Sequence, residues 1–484
     1  MFYQKIILFF IKIVKSTLLS FENFRKNYSF ALLIEYFIKI NTSLIIYSHT
    51  NSEHFMKKIL KKATTSIIGA GLLSAGMLLT SSNAMASGYQ VVLQGSRVTA
   101  MGNCAVGFRS GAPSLFFNPG AMAFEQSSVM LGANIVNSNV QYAAPNSTYR
   151  AETDSPAGTP FFLYGIYGIN EKLKVGVGVV TPFGSTVTWG NEWAGRYSLN
   201  ELSLAAIVVQ PTVSYQVTEK FGVGAGLDIA FGSVSLRRSA PLEAQDGSES
   251  YALLEGSAKP SVGFNVGAYY EVSDKISLGA SYRSKIDLTV EDGDATFVVP
   301  SLAQGQFQAK TFTSTLPLPS VISLGAGIKP NEKLQLALEW SMTGWSAYEE
   351  LKFEYDAPVL GSTETVSQRQ YENSSVFKFG AEYMATESLA LRAGIYYDQT
   401  AVKDGYITPE TPDANTMGYT LGLGYTVGDK FTIDVHYLLV DKAERENVAA
   451  PNSGGIDGTF EAGANIFGFG LSYKFGGSSS KAAE

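Results

Sequence analysis

The chain has 484 residues, with 36 Lys+Arg against 43 Asp+Glu, a formal charge of −7, one cysteine and three histidines. This balance argues against nucleic acid as a partner. A single cysteine excludes an intramolecular disulfide framework, no His/Cys cluster exists for a transition-metal site, and nothing in the composition calls for a cofactor.

Residues 1–55 are apolar and aromatic but interrupted by Lys12, Lys15, Arg25, Lys26 and Lys39. They hold no uncharged run of about 18 residues, the minimum for a membrane helix. From Met56 the chain reads MKKILKKATTSIIGAGLLSAGMLLTSSNAMA. Four lysines, an apolar run from about Ile67 to Leu79 and the small-x-small site Ala84-Met85-Ala86 are the three parts of a secretory signal peptide (56–86). Met56 is therefore expected to be the start, with 1–55 a mis-assigned extension or else a membrane-associated leader. Beyond residue 86 remain 26 Lys+Arg (36 less ten), 40 Asp+Glu (43 less three) and one histidine, His436, a formal charge of −14.

The stretch Gly95–Ala123, GSRVTAMGNCAVGFRSGAPSLFFNPGAMA, is rich in small residues and almost free of charge. In it, Asn118-Pro119-Gly120-Ala121 predicts a single helical turn, because Asn caps a helix well and Pro fits its first position. An apolar irregular segment ahead of a long strand array is what a plug inside a barrel looks like. The expected domains are a plug over 87–126, a barrel over 127–475 and a tail over 476–484.

One hairpin signal recurs along the barrel region. It stands at Asn170-Glu171-Lys172-Leu173, Thr218-Glu219-Lys220-Phe221, Ser273-Asp274-Lys275-Ile276, Asn331-Glu332-Lys333-Leu334, Thr386-Glu387-Ser388-Leu389 and Gly428-Asp429-Lys430-Phe431. Each is a short polar turn between two alternating apolar runs. Between them lie longer polar segments, at about 141–158, 184–199, 239–257, 291–318, 343–371, 398–414 and 441–461. Short turns at one end and long loops at the other is the asymmetry of an outer-membrane barrel, and six tight turns plus the two flanking strands make fourteen. The strands alternate with period two: Phe221, Val223, Ala225, Leu227, Ile229 and Phe231 share one face, and Gly222, Gly224, Gly226 and Asp228 the other. The last strand sets Phe467, Phe469, Leu471, Tyr473 and Phe475 outward. The fold class is all-β, a fourteen-stranded antiparallel transmembrane barrel with an N-terminal plug, or hatch, in its lumen.

Within this array few residues carry chemistry. Gly222-x-Gly224-x-Gly226 lies inside a strand with no helix after it, so it is no dinucleotide fingerprint; it makes room in the lumen or lets the plug approach. His436 has no legible carboxylate and serine around it, so a hydrolase is not expected. Thr181-Pro182-Phe183-Gly184 either ends the third strand or breaks the barrel wall. Trp193-Ala194-Gly195-Arg196-Tyr197 and the adjacent Arg237 and Arg238 place cations near aromatic residues, which suits an amphipathic carboxylate. By alternation from Phe231, Arg238 points inward. Alternatively these arginines lie at the outer rim and face lipopolysaccharide or water.

These residues resemble the FadL-type outer-membrane transporters of long-chain fatty acids and aromatic hydrocarbons. The resemblance runs from about Gly88 to Phe475. Ser96-Arg97 through Ala105 with Asn118-Pro119 is similar to the family's plug signature, with Gly120 in place of its usual alanine. Trp193-x-Gly195-Arg196-Tyr197, Leu316-Pro317, Trp340 with Trp345-Ser346, Leu391-Arg392-Ala393-Gly394 and Thr411-Pro412-Asp413-Ala414 are similar to its other motifs. The chain departs from the family at Tyr371-Glu372-Asn373, where a Trp-Lys-Asp-like motif is common, so Glu372 stands in place of a lysine. It departs again at Gly476–Glu484, which follow the usual terminal aromatic.

The resemblance implies that ligand binds near the outer loops, passes to an inner apolar site and leaves sideways at a kinked third strand. The expected function is passive uptake of hydrophobic or amphipathic small molecules, with long-chain fatty acids first. An aromatic-hydrocarbon channel and a general diffusion porin are the alternatives, and a barrel lipase the enzymatic rival. Candidate ligand-binding residues are Phe183, Trp193, Arg196, Arg237, Arg238 and Glu372; candidate plug residues are Asn118, Pro119 and Gly120. The expected partners are the ligand, outer-membrane lipid, lipopolysaccharide and the barrel assembly machinery.

Overall fold

The computed structural model describes residues 88–242 and 249–475. The expected leader, signal peptide and tail lie outside the described residues. Three short helices come first: α1 (Ser96–Ala100), α2 (Ser114–Phe117) and α3 (Pro119–Met122). The last is the helical turn expected from sequence. Gly120 N–H donates to the Asn118 side chain at 3.0 Å, and Pro119 sits where no N–H is needed.

Fourteen antiparallel strands follow. They are β1 (Ser128–Ala143), β2 (Phe161–Gly168), β3 (Leu173–Thr188), β4 (Glu201–Gln216), β5 (Phe221–Ser239) and β6 (Tyr251–Ser257, continuing as Ser261–Ser273). Next come β7 (Ile276–Arg283, continuing as Ile286–Val298), β8 (Thr311–Leu318, continuing as Val321–Asn331), β9 (Leu334–Thr343) and β10 (Ser374–Met384). The last are β11 (Leu389–Asp398), β12 (Thr416–Val427), β13 (Phe431–Lys442) and β14 (Gly458–Lys474). Each pairs with its neighbour in sequence, and β14 returns to β1 in a register running from Ser128↔Lys474 to Ala143↔Thr459, which closes the barrel. Closure removes the free sheet edge that a hydrocarbon solvent would not tolerate.

The recurring turn motif works through its first residue. Asn170 Oδ1 accepts from the N–H groups of Lys172 and Leu173, and Asn331 Oδ1 from those of Lys333 and Leu334. Thr218 and Thr386 do the same with their hydroxyls. The turn at Gly428-Asp429 instead uses two residues at positive φ, 57° and 61°.

Two long polar segments depart from the expected loops. Much of 291–318 is strand in β7 and β8, and 350–368 forms a hairpin (Glu350–Val359, Ser362–Gln368) that pairs with β8 through Phe312↔Tyr355. One face of these strands buries Leu254, Val290, Ala295, Phe312 and Tyr355. The polar residues alternating with them hid that face from a reading by composition.

The outer wall exposes apolar side chains, with Leu421 51%, Phe377 52%, Phe467 48% and Tyr473 45% exposed, as expected of a surface facing lipid. Inside, the plug backbone rests directly on wall glycines. A side-chain carbon at Gly325 would lie 2.6 Å from Gly107 N and at Gly224 2.5 Å from Pro119 O, and from the plug side one at Gly120 would lie 2.7 Å from Ala268 Cα. Gly279, Gly380 and Gly394 meet Val106, Met101 and Gly102 in the same way. Of the two readings for the glycines of β5, room in the lumen or close approach of the plug, Gly222 and Gly224 show the second, and it is repeated around the barrel.

Candidate functional site: a cavity above the plug and a break in the wall

β3 does not end at Thr181–Gly184, the first of the two expectations; it continues to Thr188, and the wall breaks beside it. Up to Val180 it pairs with β2. Between Val180 and Phe183 the register with β4 slips, a bulge at a proline that has no N–H to give. From there β2 is gone, and the Phe161 N–H donates to the Thr181 hydroxyl at 3.0 Å instead. The vacated edge is taken by the segment before the plug. Val91 N–H donates to Pro182 O at 2.8 Å and Gly184 N–H to Tyr89 O at 2.9 Å.

A cavity of ≈ 420 Å³ lies against this bulge. Its lining is mostly apolar and includes Val91, Phe116, Phe183, Ile207, Leu438 and Ile466. The plug supplies its floor through Asn103, Val106, Phe116, Phe117 and Pro119. Two cations enter the lining. Arg283 on β7 pairs with the buried Asp228 of β5 at 2.6 Å, donates to Phe116 O at 2.7 Å and to Gln210 Oε1 at 3.2 Å, and lies 4.0 Å from the Phe116 ring centroid. Lys378 on β10 pairs with Glu339 of β9 at 2.7 Å and donates to the Ser341 hydroxyl at 3.2 Å. Taking charges out of water is costly, so both cations keep anionic partners.

A second ion network fastens the plug to β10, β11 and β13. Arg97 of α1 donates with two nitrogens to Glu382 at 2.9 and 2.7 Å, Arg392 to Glu382 at 2.6 Å and Arg392 to Asp434 at 2.6 Å. Asn118 is a further fastening, since its Nδ2 donates to Val106 O at 2.8 Å and to Ala268 O at 3.1 Å. Pro119 O accepts from the Ser214 hydroxyl, and Gly120 lies on the backbone of Ala268 and Tyr269.

Of the residues singled out from sequence as ligand-binding, Phe183 alone lines the cavity. The others lie outside that lining. Trp193 is buried and stacked on Trp189 at 4.2 Å, with its ring N–H on Leu199 O at 2.6 Å. Arg196 donates to Trp193 O at 3.2 Å and lies 4.6 Å from the Tyr197 ring centroid. Arg237 is held by Asn191 at 2.6 Å and Glu249 at 3.0 Å, and Arg238 beside it is half-buried. Glu372 is exposed and paired with Lys403 at 3.2 Å. His436, the base a hydrolase would need, is buried, and its ring nitrogens have no hydrogen-bond partner among the described residues. Sequence reasoning set Asp228 on the inner face without giving it a role and passed over Arg283, Glu339 and Lys378. A signal was there: Phe377-Lys378-Phe379, Leu338-Glu339-Trp340 and Leu227-Asp228-Ile229 each put a lone charge on the inward face of a membrane strand, where ionisable residues are rare and functional.

The sequence profile of the outer membrane protein transport proteins (OMPP1/FadL/TodX) matches residues 77–475. The 47 kDa outer membrane protein of Pasteurella multocida is 26% identical over 439 residues, covering 85% of this chain and 100% of that protein. The long-chain fatty acid transport protein of Escherichia coli is 22% identical over 449 residues, covering 83% and 98%. The crystal structure of a Pseudomonas aeruginosa FadL homologue superposes with a TM-score of 0.70 at 21% identity, covering 81% of this chain and 100% of the homologue. With a plugged, closed barrel of fourteen strands and an apolar cavity above the plug, the chain belongs to the OMPP1/FadL/TodX family, the bacterial outer-membrane transporters of hydrophobic compounds.

Proposed function

We propose that this protein takes up long-chain fatty acids passively. The ligand enters between the outer loops, rests in the cavity above the plug and leaves sideways through the break beside β3. The polar lipopolysaccharide surface resists apolar solutes, and a lateral exit spares the chain a passage through the aqueous space beyond. The observation that carries this reading is one cavity whose lining combines apolar side chains, the bulge of β3 at Thr181, Pro182 and Phe183, and Arg283 and Lys378. An apolar tail gains by leaving water, whereas a carboxylate loses its hydration and needs a cation. Phe183 borders the exit, and Arg196 and Arg238 are proposed to meet the head group at the outer end.

A charge-assisted hydrogen bond from Lys378 contributes roughly 1.5–3 kcal/mol, about ten- to hundredfold in affinity. Uptake of radiolabelled oleate and toluene by cells making the wild type or Lys378→Met tests the reading. The variant should lose oleate uptake about tenfold or more and keep toluene uptake. Equal effects on both, or toluene uptake without oleate uptake in the wild type, would assign the cavity to neutral hydrocarbons.

A further inference from the structure

We propose that Glu339 is a positioning residue that couples a carboxylate in the cavity to the seating of the plug. This rests on the fatty-acid reading above. The two oxygens of Glu339 do different things. Oε2 accepts from the backbone N–H groups of Ala105 and Val106, at 2.7 and 2.8 Å, both in the plug. Oε1 accepts from Lys378 at 2.7 Å and from the Ser341 hydroxyl at 3.3 Å. Glu339 and Lys378 both line the cavity, and they stand directly opposite each other on β9 and β10. The Glu339 side chain is 2% exposed and the Lys378 side chain 8%.

The plug segment that Glu339 holds is fixed at two further points. Val106 O accepts from the Asn118 side chain, and Gly107 lies against Gly325, the residue opposite Glu339 on β8. Val106 is itself part of the cavity floor. One carboxylate therefore joins the cation that faces the ligand to the peptide groups that form the floor.

A fatty acid head group that reaches Lys378 shares it with Glu339. Two carboxylates then stand at one ammonium in a water-poor site, and like charges at that distance repel. Glu339 turns from the newcomer, its alignment with Ala105 and Val106 worsens, and the floor loosens. A neutral ligand of the same length leaves Lys378 with Glu339 and the floor in place. A ligand shifts a two-state element only through differential interaction with the two states, and here the difference is the ligand's charge.

Cys104 reports on this step. It is the only cysteine in the chain, it is buried, and it lies next to the two residues that Glu339 holds. Its sulfur is 3.8 Å from Ala337 O. Maleimide labelling of Cys104 is measured in purified, detergent-solubilised protein without ligand, with oleate and with methyl oleate, while displacement of a fluorescent fatty acid reports binding. Oleate should raise the labelling rate at least about fivefold and methyl oleate should leave it unchanged. Glu339→Gln keeps an acceptor for the plug and removes the charge. It should bind oleate more tightly than the wild type, because Lys378 is no longer shared with a second carboxylate, yet label at a rate independent of oleate. Lys378→Met should lose both binding and response, and Lys378→Arg should recover both. Oleate binding without a change in labelling, an equal response to methyl oleate, or a full response in Glu339→Gln would each overturn the coupling and leave the fatty-acid reading standing. A failure of oleate to bind at all would overturn both.

Discussion

Gly325→Ala is the smallest change that should unseat the plug. Gly325 lies on β8 under Gly107, and an added methyl would sit 2.6 Å from Gly107 N, 3.1 Å from Gly107 Cα and 3.3 Å from Val106 C. The opposing atoms are all backbone, so no side chain can swing aside. Restoring an ordinary contact of about 3.5 Å requires a displacement of roughly 0.9 Å. Overpacking of this kind costs typically about 1–3 kcal/mol. The same displacement, passed to Val106, would stretch its 2.8 Å bond to Glu339 beyond hydrogen-bond range. The overlap alone shifts the balance between seated and displaced plug about 5–150-fold. Gly165→Ala is the matched control, because a methyl there meets nothing within 4 Å. In planar bilayers Gly325→Ala should show frequent ion-conducting openings, and Gly165→Ala and the wild type should stay closed. If Gly325→Ala is as closed as the wild type and Cys104 labels no faster, the plug is not held by backbone contact with the wall.

Three further outcomes are expected. Asn118→Ala removes a helix cap and the hydrogen bonds to Val106 O and Ala268 O; at about 1 kcal/mol for the cap and a similar amount for each carbonyl, it should cost about 2–4 kcal/mol and speed Cys104 labelling. Deleting 95–123 should leave an inserted barrel that conducts small ions, and a deletion barrel as closed as the parent would remove the plug from the lumen. Cysteines placed in 441–457 should label on intact cells with an impermeant reagent and cysteines at Lys172 or Lys275 should not; the reverse pattern would invert the barrel.

Much of the architecture is legible in local chemistry. The six turns announce themselves because Asn, Thr or Ser at the first position ties its own turn, or because Gly-Asp supplies positive φ. Asn118-Pro119 reads as a cap and is one. The glycines of β5 read as a close approach, and Pro119 and Gly120 do approach them. The break at β3 was half legible. Pro182 marks it, but that residues 89–91 take the vacated edge is a pairing across the fold that no local pattern encodes. The two cations of the cavity lining were passed over for a related reason. Arg196, Arg237 and Arg238 stand near aromatics in sequence, whereas Arg283 meets the Phe116 ring only in space, across 167 residues of chain, and Lys378 was not weighed although Phe377 and Phe379 flank it. The extended strands in 291–318 and the 350–368 hairpin escaped because only one face of each is apolar.

The central claim is that hydrophobic ligand occupies the cavity between the plug and the break in the wall. Photo-crosslinking tests it most directly. A long-chain fatty acid carrying a diazirine near its tail would be bound to the protein in outer-membrane vesicles, irradiated, and its attachment sites mapped by mass spectrometry of peptides. Adducts are expected on residues 91–94, on Pro182 and Phe183 and on Ile207, all in the cavity lining, and should disappear under excess unlabelled oleate. Adducts confined to outward-facing residues such as Phe377 and Phe467, unaffected by competitor, would mean that the ligand meets the barrel only as a membrane lipid does and would contradict the account.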